Sequence, residues 1–109
     1  MQLNEIKEYL RIDDDLEDNT ISSILFAAKS YVKNGTGLTD DMIKDNELLE
    51  LYKLCIKLLV SHWYENRAIE TTGANFSKLS FSLETMLIQL EAEYLKIIKG
   101  EKNGSRQIE

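Results

Sequence analysis

Apolar positions recur along this chain at three- and four-residue steps, the spacing that lines one face of a helix. Leu3, Ile6 and Leu10 predict a short first helix over residues 3–11. Asp13, Asp14 and Asp15 end it, because short carboxylates accept from nearby backbone N–H groups and compete with helix continuation. The same carboxylates can cap the next helix and complement its N-terminal dipole. Leu16, Ile21, Ile24, Leu25, Ala28, Tyr31 and Val32 mark the apolar face of a second helix over about 16–34, closed by Asn34-Gly35. Gly35-Thr36-Gly37 reads as a loop, and Asp40-Asp41 as the cap of a short turn through Lys44.

From Asn46 to Asn66 the pattern is apolar around most of the circumference, with a narrow polar stripe of Glu50, Lys53, Lys57 and Ser61. Such a helix predicts a central element covered by its neighbours, with Cys55, Ile56, Leu59 and Trp63 in the core and Leu25 packed with them. Residues 68–82 are rich in Thr, Ser, Asn and Gly, longer than most helix–helix connections, and read as a functional or mobile loop whose second half can extend against a partner. Thr71, Thr72, Gly73, Asn75, Phe76 and Lys78 are its candidate contact residues. The last helix begins after Ser80 or Ser82. There Leu83, Leu87, Leu90, Tyr94 and Ile97 step 4-3-4-3, a seam that one helix lays against another. Residues 100–109 read as a polar, frayed tail after a single helical domain over 1–99.

Composition strengthens the helical reading. There is no proline to interrupt a helix, and valine occurs only at Val32 and Val60, whereas strand-rich domains draw more on β-branched residues. The expected fold is all-α, a small bundle of four main helices around a central apolar one. With 109 residues the chain suits one domain. The N-terminus has no signal-peptide pattern, and the most apolar stretch, Leu48 to Tyr64, carries charges costly in a bilayer, so no membrane partner is expected.

Charge and candidate chemistry exclude more than they offer. A net charge of −6 disfavours an extensive basic surface that would hold nucleic acid. Residues 1–50 carry 5 basic and 12 acidic side chains, and residues 51–109 carry 8 and 7. This asymmetry reads either as a head-to-tail contact, an acidic face meeting a more basic one, or as solvated surface with capping acids. One histidine and one cysteine are too few for a structural zinc site. His62 and Glu65 share a helical face without a third ligand, Asp13 to Asp18 lack the glycine and closing glutamate of a calcium loop, and Ser61 beside His62 cannot form a nucleophile–base pair. Neither an enzyme nor a cofactor site is expected, and Cys55 reads as a small buried hydrophobe. A small helical regulatory or DNA-binding protein is the alternative class. The third helix is too apolar for recognition, and the second offers only Lys29 and Lys33.

The segment KLLVSHWYENR at residues 57–67 resembles one found in the tailed-phage head–tail connector family of adaptor and head-completion proteins. LNEIKEYLRIDDDLED resembles that family's N-terminal start, and ILFAAKSYVKNGTG at residues 24–37 resembles its second helix and exit. The ordered set spans residues 3–95, with a departure at Leu79-Ser80-Phe81, where the family often has a proline. The resemblance implies a structural subunit of the virion head–tail junction, assembled in the host cytoplasm as a dodecameric ring beneath the portal protein. The ring would extend the channel for transient DNA passage and present a platform to a stopper or tail-completion protein. Under this reading the 68–82 loop faces the portal or channel. Arg67, Leu83, Leu87, Leu90 and Tyr94 contact a neighbouring copy or the portal, with Arg67 a candidate partner of Asp13 or Glu17.

Overall fold

Leucine and isoleucine at helical spacing fold into four helices: α1 (Leu3–Leu10), α2 (Asp18–Thr36), α3 (Asn46–Thr72) and α4 (Phe81–Gln107), with a 3₁₀ turn at Asp40–Met42 between α2 and α3. The computed structural model describes the backbone of residues 1–72 and 81–107, and the side chains of residues 1–66 and 82–100. Among the described residues there is no strand, and the architecture is an all-α bundle.

The first boundary lies close to its sequence expectation but has a different cause. α1 stops because Arg11 adopts the left-handed region (φ 61°, ψ 44°). Its N–H donates to Glu8 O at 3.1 Å, and the Ile12 N–H donates to Lys7 O at 2.9 Å. This paired closure satisfies carbonyls that would otherwise be left open at the helix end. The carboxylates of Asp13 to Asp15 therefore follow a stop that the backbone has already made. None of them caps α2 either: the N-cap is Glu17, without a side-chain capping bond. Asp14 instead accepts the Leu16 N–H in a local turn at 3.2 Å, and Asp15, with Asp18, receives the Lys7 ammonium at 3.1 and 2.8 Å.

α2 runs past Asn34-Gly35 and closes at Gly37 (φ 91°), whose N–H donates to Lys33 O at 2.8 Å. Gly35 is an interior helical residue, not a stop. Buried Thr36 fastens this end, donating to Val32 O at 2.7 Å and accepting the Leu38 N–H at 3.1 Å. Leu38 is then carried into the core. At the start of α3 the Asp45 carboxylate accepts the Glu47 N–H at 3.4 Å, in the manner of an N-cap.

The core is a single cluster. Ile6 of α1 meets Ile21, Leu25, Ala28 and Val32 of α2, then Leu48, Tyr52, Cys55, Ile56, Leu59 and Val60 of α3, and Leu83 and Leu90 of α4. Leu25, Ile56 and Leu59 occupy the expected positions; Trp63 does not. It is half-buried at the edge of the cluster, its ring 5.6 Å from that of Tyr31 in an edge-to-face arrangement. Leu16, placed on the apolar face of α2 by its spacing, precedes the helix and is 89% exposed.

Centrality is shared. α2 and α3 each pack against all three other helices, and α3 turns Leu54 outward. The polar stripe of α3 is partly covered by α1: Lys53 pairs with Glu5 at 3.4 Å, and Lys57 stands 5.8 Å over the Tyr9 ring. α3 also continues six residues beyond Asn66, to Thr72, through the first part of the segment read as a loop. α4 likewise continues through Gly100 to Gln107, where a tail was expected.

Candidate assembly surface

Helical spacing placed the seam of α4 correctly but not its partner. Leu83 and Leu90 are 2% and 0% exposed, packed into the subunit's own core. They are not free for a neighbouring copy, since α2 and α3 already cover this face. Leu87 and Tyr94 are half-buried against the same cluster. Thr71 and Thr72 are the last residues of α3 rather than loop residues. Gly73, Asn75, Phe76 and Lys78 lie outside the described residues, and so does the side chain of Arg67, whose backbone belongs to α3.

Glu17, the candidate partner of Arg67, accepts a hydrogen bond from the Tyr64 hydroxyl at 2.5 Å. That bond ties the N-cap of α2 to α3 across 47 residues of sequence. Near it, the Asn66 amide donates to His62 O at 2.7 Å and Ser61 donates to Glu65 at 3.2 Å. His62 thus contributes its backbone carbonyl, and Glu65 its carboxylate, to hydrogen bonds within α3. Among the described residues, no group of three or more His, Cys, Asp or Glu side chains is placed to hold a metal ion, and no helix is long and apolar enough to cross a membrane.

A second polar node joins the N-terminus to the turn before α3. Asp40 accepts the Met1 ammonium at 2.8 Å and the Tyr52 hydroxyl at 3.1 Å. Lys29 donates to Met1 O at 2.7 Å and lies 3.9 Å from the Asp40 carboxylate. Burial alone raises the Asp40 carboxyl, but the Met1 hydrogen bond and charge, with Lys29, outweigh it and hold the group below its ordinary value. Burial, then the Asp40 charge, pushes the Tyr52 phenol well above its ordinary value. Burial alone pushes the Cys55 thiol up to about 11, so this cysteine is a neutral packing residue at physiological pH.

The remaining large apolar side chains point to water. Phe26 is 72% exposed on α2, and Ile88 and Leu95 are 70% and 52% exposed on α4. No described residue covers these side chains, and helical spacing did not single them out as contacts. A signal was present for two: Ile88 and Leu95 follow Leu87 and Tyr94 by one position, so they repeat the same spacing on the adjacent flank of α4. An apolar stripe there exceeds what one buried face needs. Beside Ile88 lies an open hollow of about 420 Å³ between α2 and α4, lined by Tyr31, Asn34, Gly35, Leu87, Ile88 and Glu91.

The described side chains thus converge on packing and surface contact rather than on a reacting centre. No curated protein and no solved structure shows significant similarity to the chain. The family described as phage gp6-like head-tail connector protein matches residues 1–100, which take in α1 to α3 and α4 as far as Gly100. That family is structural and contributes to the virion. The all-α bundle with apolar side chains left on its outer faces is therefore a member of the phage gp6-like head-tail connector family.

Proposed function

We propose that this connector subunit assembles as a dodecameric ring beneath the portal protein of a DNA-filled capsid. There it extends the DNA channel and offers its far side to a stopper or tail-completion protein. The observation that carries this reading is the family match over residues 1–100. The exposed Phe26, Ile88 and Leu95 are compatible with it, as apolar side chains open to contact with another subunit. The net charge of −6 suits a conduit, since a wall that gripped phosphate would retard the DNA it must pass. The segment from Ala68 to Ser82, with Thr71, Thr72, Gly73, Asn75, Phe76 and Lys78, is the proposed portal- or channel-facing element. Arg67, Leu87 and Tyr94 are further proposed contact residues.

The test is the mass of the purified protein alone and mixed with its portal protein, with negative-stain images of the mixture. Rings of twelve copies seated on the portal are expected. A protein that stays monomeric and never joins the portal overturns the proposal.

A further inference from the structure

α4 carries two parallel seams. Leu83, Leu87, Leu90 and Tyr94 face the bundle. One residue further along, Glu84, Ile88, Glu91 and Leu95 repeat the 4-3-4 spacing, about 100° around the helix. This outer stripe alternates acidic and apolar side chains. All four are exposed, and neither Glu84 nor Glu91 makes an ion pair among the described residues. Ile88 and Glu91 border the hollow of about 420 Å³ between α2 and α4. Its Gly35 wall is bare, since a Cβ there would meet nothing within 4 Å.

α2 carries a stripe of the same period and opposite charge: Ser22, Phe26, Lys29 and Lys33. Phe26 is 72% exposed. Lys33 is exposed without an ion pair among the described residues, and from Asn19 to Thr36 the helix has no carboxylate. Phe26 and Tyr31, which lines the hollow, are five residues apart and so about 140° apart around α2. The aromatic and the hollow therefore face different directions, and a subunit cannot seat its own Phe26 in its own hollow.

We propose that Phe26 of one copy seats in the α2–α4 hollow beside Ile88 of the next, with Lys33 lying along the Glu84–Glu91 row. The inference rests on the connector reading and deepens it by naming the contact between copies. A second copy is the occupant because one chain carries both halves, an apolar side chain with lysine and an apolar hollow with carboxylates. Two different patches make the contact heterologous, which closes into a ring when the rotation per copy permits. The polarity is the reverse of the half-chain charges: the acidic partner is α4 and the basic one is α2. Several of the N-terminal acids are already engaged within the subunit by Lys7, Lys53 and the Met1 ammonium.

Cysteine cross-linking tests this. Cys55 is buried and remains silent to a mild oxidant. The Phe26→Cys/Ile88→Cys double variant, oxidised both free at high concentration and on the portal, is expected to give a ladder of dimers, trimers and higher species. An equimolar mixture of the two single variants should stop at dimers, and each single variant alone should give none. Gly35→Leu, which adds a side chain to the hollow's wall at a position where a Cβ meets nothing within 4 Å, should reduce the double variant's ladder at least tenfold at unchanged helicity. Portal-bound rings without a ladder, self-linking single variants, or a ladder indifferent to Gly35→Leu each overturn the docking mode. The first of these leaves the connector reading standing. Absence of both rings and ladder defeats both.

Discussion

Gly37 lies against the ring of Tyr94. A methyl group on this glycine would stand 2.7–2.8 Å from three ring carbons, and the residue has a φ of 91°. The end of α2 and the middle of α4 thus approach as closely as they do because nothing projects from residue 37. Gly37→Ala is expected to destabilise the fold by about 1–2 kcal/mol from the left-handed backbone alone, with the ring clash added. Gly37→Ala combined with Tyr94→Ala should recover the clash and retain the backbone cost. A double-mutant cycle by urea denaturation measures this as a non-additive pair.

Gly35, two residues earlier, should respond in the opposite sense. It is inside α2 with open space around it, so Gly35→Ala should stabilise the protein by about 0.5–1 kcal/mol through helix propensity. A raised melting temperature checks it, and a lowered one would show that this glycine is constrained by contacts that the bundle does not contain.

Asp40 predicts an acid-labile turn. Its folded carboxyl lies below the ordinary value of 3.8, so its contribution is fully present above that value and is lost as pH falls through the folded one. Asp40→Asn should lower stability at pH 7 and flatten the profile below about pH 4. Tyr52→Phe removes the hydroxyl that donates to this carboxylate and should cost about 1 kcal/mol.

Cys55 and Tyr52 predict the alkaline limb. Both groups are raised above their ordinary values of 9.0 and 10.0. The stabilisation from keeping them neutral is present below those values and is lost as pH rises beyond them. In the native protein Cys55 should be inert to a thiol reagent at pH 8 and should react fully once urea unfolds the chain. Rapid labelling of the native form would contradict its burial.

Tyr64→Phe should loosen the join between the α2 N-cap and α3. The hydroxyl donates to Glu17 at 2.5 Å, and its loss should cost about 1 kcal/mol or somewhat more, because the acceptor is charged. Hydrogen exchange at residues 17–21 should accelerate selectively. Uniform exchange across the bundle would assign the bond no local role.

Much of the helix pattern was readable in the residues because three- and four-residue apolar periodicity is a local property of the chain. Ile6, Leu25, Ile56 and Leu59 took their places from spacing alone. The ends were less legible. Arg11 stops α1 in a conformation usually left to glycine, and nothing in its side chain announces this. Asn34-Gly35 read as the end of α2, yet the helix closes at Gly37, and contact with Tyr94 requires that glycine to be bare. The candidate surface was legible only in outline. Both seams of α4 stand in the same letters, but period alone does not say which one the subunit keeps for itself.

The absence of proline, the leucine and isoleucine at helical steps, and the ordered segments of a connector family already make this an all-α chain on local grounds. Tertiary structure decided the assignment of faces. Leu83 and Leu90 are buried because the bundle packs over them, whereas Ile88, Leu95 and Phe26 stay exposed on faces that no described residue covers. Hydrophobicity is a property of a residue, but burial is a property of its neighbours, and the neighbours are known only once the bundle has packed.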